Sequence, residues 1–163
     1  MAEFFSLTVA DCQAHFFCDA DIDRGHLCPS FFSRLVSFDV LVPRDIGLKR
    51  HSRDWAYTYD NQLLVSSNAR EVLSEMGVPA HFIKANCDPR LWAVQFDNEF
   101  VFDTVARGSR FLDRCEVCGN FGSIVGAAPA YLSGAAKLTD SIYRSDVEFG
   151  SEQPKGSVII VGS

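Results

Sequence analysis

The sequence predicts an α+β fold: a single strand-rich domain with a mostly antiparallel mixed sheet and a few helices. Most of its apolar runs are short, which is typical of strands. Helical spacing is clearest in one segment that lies between two such runs. The length of 163 residues lies in the usual range for one domain. Because the chain contains no internal repeat, linker or low-complexity tract, residues 1–163 are expected to form one domain.

The clearest local pattern spans residues 62–85. The apolar run at 63–65 predicts a strand, and Asn68 with Glu71 three positions later resembles the capping box that begins a helix. Gly77 followed by Pro79 predicts the end of that helix. A second strand is expected at residues 81–85.

Residues 91–105 are predicted to form a hairpin. Two strand-like runs, 91–96 and 99–105, flank Asp97-Asn98, and both of these residue types tolerate the positive φ of a two-residue turn. Further strands are expected at 111–114, 142–149 and 157–161.

Charge narrows the choice of partner. The formal net charge of −6 disfavours nucleic acid, which is bound mainly through Lys and Arg, and favours a cationic partner. Near the N-terminus Asp19, Asp21 and Asp23 alternate as in a calcium loop, but Arg24 stands where such a loop needs glycine and Ser30 where it needs glutamate. We therefore predict an exposed acidic loop on which a cationic partner can dock.

An aromatic row at Trp55, Tyr57 and Tyr59 follows strand spacing, which would place the three rings on one face. Such a row can stack nucleic-acid bases. In an acidic chain it more readily forms a packed sheet face or a protein-binding patch.

Cysteine spacing gives the most specific local motif. Cys115-x-x-Cys118-Gly119 has the spacing at which two thiolates hold one zinc ion, with glycine allowing the tight turn. A structural zinc needs about four ligands, and the sequence contains no second Cys-x-x-Cys. The alternative is a pair of reduced cysteines at a turn. Four cysteines remain at other spacings, namely Cys12, Cys18, Cys28 and Cys87.

No apolar stretch reaches the roughly 20 residues needed to cross a bilayer, and the N-terminus lacks the pattern of a signal peptide. We expect a soluble cytoplasmic protein with reduced thiols and no membrane partner.

Catalytic motifs are missing from the sequence. It contains no nucleophile elbow, phosphate-binding glycine loop or zinc-protease helix motif, so a non-enzymatic role is expected. The competing hypothesis is an enzyme with Cys28 or Cys87 as its nucleophile.

Three segments together resemble bacterial immunity proteins of polymorphic toxin systems, in particular the double-CxxCG family. They are LLVSSNAREVL at 63–73 with Gly77-Val78, CEVCG at 115–119, and RSDVEFG at 144–150 leading to VIIVG at 158–162. This sequence departs from the family pattern in having one Cys-x-x-Cys. The resemblance implies a cytoplasmic protein that binds a toxin domain, blocks its active site and performs no catalysis.

The leading hypothesis is therefore an immunity protein that neutralises a cationic toxin, and a toxin that acts on nucleic acid is one candidate. The alternative is a zinc-stabilised adaptor or nucleic-acid-binding module built on Cys115 and Cys118. The expected toxin-contacting residues are acidic or aromatic: Asp19, Asp21, Asp23, Trp55, Tyr57, Asp97, Glu99 and Asp103.

Overall fold

The computed structural model describes residues 4–6, 25–31, 35, 38, 54–59, 61–85, 90–133, 138–151 and 155–162, with the backbone alone for 4–6. Strands predominate in these residues. The elements in chain order are β1 (Phe4–Ser6), β2 (Trp55–Tyr57), β3 (Leu63–Ser66), α1 (Ser67–Glu75), β4 (Ala80–Lys84), β5 (Leu91–Phe96), β6 (Glu99–Phe100), α2 (Thr104–Arg107), β7 (Arg110–Arg114), β8 (Phe121–Val125), β9 (Ile142–Ser151) and β10 (Gly156–Gly162).

The strands form two sheets. The larger has six strands in the order β1-β10-β9-β8-β7, with β6 also pairing with β9, and the smaller has the order β2-β3-β5-β4. The β6–β9 pair is parallel, and the other pairs of the described strands are antiparallel. The predicted α+β class, with a mostly antiparallel mixed arrangement, is confirmed.

Helix α1 lies where a helix was predicted but begins earlier. Its N-cap is Ser66, whose hydroxyl accepts a hydrogen bond from the Ala69 N–H at 3.1 Å and donates one to Asp54 at 2.6 Å. The predicted capping box at Asn68 and Glu71 is therefore wrong, because Ser66 satisfies the first turn. Gly77, at φ +68°, follows the C-cap as predicted. In the described ranges, no helix is long and apolar enough to cross a membrane.

The predicted hairpin at 91–105 is wrong, although its first strand exists as β5. The Asp97 N–H donates to Pro79 O, and the Asn98 side chain donates to Ser141 Oγ at 2.8 Å. The Asp97 bond continues the pairing of β5 with β4, whereas the Asn98 bond connects the chain to the start of β9, so that β6 pairs with β9 of the larger sheet. The predicted strand then ends early, because Asp103 caps α2 by accepting the Ala106 N–H.

Two apolar cores lie on either side of β10. Ile159 belongs to a core shared with the smaller sheet and α1, which includes Val65, Leu73 and Phe96. Ile160 belongs to a second core with three phenylalanines, Phe100, Phe102 and Phe149. Since neighbouring residues of a strand point to opposite faces, β10 is buried from both sides.

Trp55 and Tyr57 pack against the first of these cores. The Trp55 ring stacks on Phe96 with a centroid distance of 6.4 Å. Burial raises the pKa of the Tyr57 hydroxyl to about 12. Two rings of the predicted aromatic row, Trp55 and Tyr57, therefore contribute to packing, whereas Tyr59 lies beyond the end of β2 and is 45% exposed.

The buried Tyr57 hydroxyl predicts a loss of stability at high pH. In the unfolded chain the hydroxyl ionises near pH 10, whereas in the folded chain it stays protonated to about pH 12. Between these values the unfolded state loses the proton first, so the free energy of unfolding falls as pH rises, by at most about 1.4 kcal/mol per pH unit from this group. Urea unfolding at pH 9 to 11.5 should show a shallower fall for Tyr57→Phe than for wild type. Tyr59→Phe is the control, and an equal change in both variants would contradict the assignment.

Candidate metal centre

The loop between β7 and β8 carries two of the three thiols of the candidate centre. Cys115 directly follows β7, and its N–H donates to Asn120 O at 2.7 Å, which closes the loop at its base. The Gly119 N–H donates back to Cys115 O at 2.9 Å, and Gly119 has a φ of +77°. The turn closed by this bond places Cys118 beside Cys115, and the left-handed Gly119 then redirects the chain toward β8.

The third thiol comes from a segment far away in the sequence. Cys28 is fully buried in the turn at residues 25–31, where the Leu35 N–H donates to His26 O at 2.8 Å. The ring of Phe31 lies against Gly122 of β8, with its Cε1 atom 3.0 Å from the position that a Cβ on Gly122 would occupy. Glycine at this position lets the segment approach the sheet closely enough for Cys28 to meet the loop.

The three sulfur atoms lie close together without a covalent bond. Cys28 Sγ and Cys115 Sγ are 3.7 Å apart, and the Sγ atoms of Cys28, Cys115 and Cys118 all lie within 4.8 Å of one another. All three are free thiols; Cys28 and Cys115 are buried, and Cys118 is half-buried. This group can hold a metal ion.

The two thiols of the loop differ in acidity. The Cys118 backbone N–H, and also that of Val117, donate to the Cys115 sulfur and lower its pKa to about 7, although burial opposes the shift. Burial raises the pKa of Cys118. A metal binds the thiolate form, so the loop favours the ionised state of one ligand before any metal arrives.

The structure brings together the two predicted ligands, Cys115 and Cys118, and adds Cys28, which sequence reasoning did not join to them. Cys28 lies 87 residues from Cys115, and its spacing to the other thiols matches no zinc motif. Its only sequence signal is that it is a cysteine in a chain that already contains a Cys-x-x-Cys. The other three cysteines, Cys12, Cys18 and Cys87, lie outside the described residues.

The predicted acidic contact residues are distributed over several places. Asp19, Asp21 and Asp23 lie outside the described residues. Each of the other three carboxylates has an internal partner: Asp97 lies 3.2 Å from His81 Nε2, Glu99 lies 2.7 Å from Arg144 Nη2, and Asp103 caps α2. The side chains of Asp97 and Glu99 nevertheless keep exposed fractions of 45% and 44%.

Comparison with known proteins gives no relative. No protein-family model matches the chain, and neither the curated proteins nor the solved structures contain a match. The resemblance to immunity proteins therefore rests on the three sequence segments alone and stays a prediction.

The contact between Phe31 and Gly122 predicts that a single methyl group disturbs the centre. In Gly122→Ala the new Cβ would lie 3.0 Å from the Phe31 ring and 3.2 Å from Asp113 Cβ, so the ring that contacts β8 must shift by a few tenths of an ångström. Overpacking of this kind typically costs about 1–3 kcal/mol of stability. We expect a lower melting temperature and weaker binding of added Zn²⁺ or Cd²⁺, measured by calorimetry.

A double variant separates this effect from a general defect. Phe31→Ala removes the ring that the methyl group meets, so Gly122→Ala should cost less in that background than in wild type. Equal costs in both backgrounds would show that the ring does not position Cys28.

Proposed function

We propose that this protein is a protein-binding domain stabilised by one structural zinc ion, which Cys28, Cys115 and Cys118 hold. The observation that carries the proposal is the meeting of three free thiols from two remote segments within 4.8 Å. A buried thiol by itself is commonly a small apolar side chain. Three thiols within this distance of one another form a set of soft ligands for a metal ion.

The sulfur spacing supports zinc. With Zn–S bonds of about 2.3 Å, two ligands of a tetrahedral ion are separated by about 3.8 Å. The Sγ atoms of Cys28 and Cys115 are 3.7 Å apart. Calcium and magnesium prefer oxygen ligands, and the group contains none. Thiolates favour zinc or another soft ion.

A zinc ion here would act as a crosslink. It would join residue 28 to the β7–β8 loop across 87 residues of sequence. Because the ion binds the folded chain in preference to the unfolded chain, its binding stabilises the fold. Ligands that meet only in the folded chain turn metal affinity into folding free energy.

Three thiolates fill three positions of a tetrahedral zinc, and the fourth can be taken by solvent or by another donor. The number of protein ligands is open to direct measurement. Alkylation of the folded protein with and without zinc, followed by mass spectrometry, would count the thiols that the metal protects. Protection of Cys28, Cys115 and Cys118 together is the expected minimum.

Removal of the metal should lower stability only while the thiols are intact. Wild-type protein is expected to contain about one zinc per chain by elemental analysis and to lose several degrees of melting temperature in a strong chelator. Cys115→Ser should contain no zinc, melt near the temperature of the chelated wild type and be insensitive to the chelator. Val117→Ala is the matched control, because Val117 lies in the same loop with 73% exposure and offers no ligand atom. Wild-type protein that takes up no zinc and gains no stability from it would rule out the centre.

For the partner, we propose a cationic toxin domain, as the resemblance to immunity proteins implies. The support is the net charge of −6 and the two half-exposed carboxylates, Asp97 and Glu99, at the crossing between the sheets. Exposed charges of this kind mainly accelerate association with an oppositely charged surface. Their internal partners orient them and leave part of each carboxylate open to solvent.

Binding to a toxin domain encoded beside this protein should depend on those charges. The double variant Asp97→Asn with Glu99→Gln should associate several-fold more slowly at low salt, with a smaller change in dissociation rate, as measured by surface plasmon resonance. Glu71→Gln with Glu75→Gln, on the exposed face of α1, removes the same charge elsewhere and is the control. No complex at micromolar concentration would remove the immunity function, whereas equal rates in both double variants would remove these two residues from the interface.

A further inference from the structure

The three thiols of the candidate metal centre differ in their access to solvent. Cys28 and Cys115 have exposed fractions of 0% and 4%, whereas Cys118 is half-buried. Cys118 also lies between two exposed residues, Val117 at 73% exposure and Gly119. A small molecule in solution can therefore reach the Cys118 sulfur, while the fold shields the other two.

The sulfur atoms lie close enough together for oxidation to join them. Cys28 Sγ and Cys115 Sγ are 3.7 Å apart, and Cys118 Sγ lies within 4.8 Å of both. A disulfide bond is about 2.0 Å long, so the first pair would have to approach by about 1.7 Å. Each sulfur thus has two others that can react with it.

We infer that the three thiols form an oxidative modification site, where a small hydroperoxide reacts at Cys118 and the product is a disulfide between Cys28 and Cys115. The co-substrate must be small because it enters beside a half-buried sulfur. The disulfide itself needs no metal. Its competition with zinc rests on the proposed function.

The reaction takes three steps. In the first, the Cys118 sulfur takes one oxygen from the peroxide: the O–O bond breaks, an S–O bond forms, and water or an alcohol leaves with the sulfur oxidised to a sulfenic acid. In the second, the Cys115 thiol condenses with the sulfenic acid, so that an S–S bond forms and the oxygen leaves as water. In the third, the Cys28 thiol attacks Cys115 and releases Cys118 as a thiol, with no net change in oxidation state.

Burial explains why the bond between Cys28 and Cys115 is the one that persists. A disulfide is reversed when an external thiol attacks one of its sulfur atoms, and this attack requires access. Every bond that includes Cys118 keeps one half-buried sulfur within reach, whereas Cys28 and Cys115 are both buried. The exchange step therefore moves the bond from an accessible position to a protected one.

The disulfide and the zinc ion exclude each other. After oxidation only Cys118 remains as a thiol, so the set of three ligands no longer exists. The covalent bond still joins residue 28 to the β7–β8 loop across 87 residues of sequence. A bond of this kind stabilises the fold chiefly by restricting the unfolded chain. Oxidation would thus replace a metal crosslink by a covalent one between the same two segments.

The test treats the metal-free full chain with hydrogen peroxide, alkylates the remaining thiols and digests the protein without reduction. Mass spectrometry should find the Cys28 peptide linked to the peptide of the β7–β8 loop. Fragmentation between residues 115 and 118 should place the bond on Cys115 and the alkyl group on Cys118. The oxidised protein should melt several degrees above the reduced metal-free protein, and it should take up zinc only after reduction.

Two variants test the entry of the peroxide. Cys118→Ser keeps the two buried thiols but removes the accessible one, so the bond between Cys28 and Cys115 should form several-fold more slowly. Val117→Ala is the matched control, because it changes the neighbouring exposed residue and keeps all three thiols. It should form the bond at the wild-type rate. Equal rates in Cys118→Ser and wild type would overturn the inference.

The wild-type protein separates this inference from the proposed zinc site. No bond between Cys28 and Cys115 after peroxide treatment, or a bond to Cys12, Cys18 or Cys87 instead, would overturn the inference even in a protein that binds zinc. A protein that forms the expected bond but never binds zinc would support the modification site and remove the zinc centre. Unchanged zinc affinity of the oxidised protein would overturn the competition between the two.

Discussion

The pairing of β9 with β10 is the interaction on which the rest of the structure depends. Strand β10 is buried on both faces, with Ile159 and Ile160 in different cores, so it must be continuous and in fixed register. One irregularity interrupts the ladder near residue 158, and the buried Ser145 hydroxyl satisfies it by accepting the Val158 N–H at 2.8 Å. Strands β6 and β8 both attach to the long strand β9. The β7–β8 loop with its two cysteines is thereby held at a fixed distance from the cores.

Local patterns predicted most of the elements of this scaffold. The helix ending at Gly77, the strands at 142–149 and 157–161, and the two cysteines of the β7–β8 loop all follow from signals only a few residues long. The errors arose where a distant contact decided between two locally acceptable structures. Asp97-Asn98 fits a tight turn, but the hydrogen bond from Asn98 to Ser141 connects the chain to the other sheet.

The candidate metal centre shows more clearly that local sequence patterns do not predict distant contacts. Cys115 and Cys118 share a recognisable spacing, whereas Cys28 joins them from a remote segment whose Phe31 lies against Gly122. Neither the 87-residue separation nor the glycine in β8 predicts this contact from the sequence.

The predicted acidic contact residues have partners within the fold and are also proposed to bind a cationic partner. Asp97, Glu99 and Asp103 were predicted from charge alone, and the structure gives each one an internal partner. Exposed ion pairs contribute little to stability, typically below about 1 kcal/mol. A half-exposed carboxylate held by His81 or Arg144 loses little further entropy on meeting a cationic surface. Internal pairing is therefore compatible with the proposed binding role.

Metal binding would unite two regions that local structure leaves separate. Cys28 belongs to a turn early in the chain, and Cys115 and Cys118 belong to the β7–β8 loop. The sheet already holds the loop in place through β7 and β8, whereas Cys28 reaches the centre through the turn at 25–31 and the contact of Phe31 with β8. Because the weakest attachment gains most from an added crosslink, the proposed zinc would act chiefly on the Cys28 segment. The β9–β10 ladder, buried between two cores, would depend on it least.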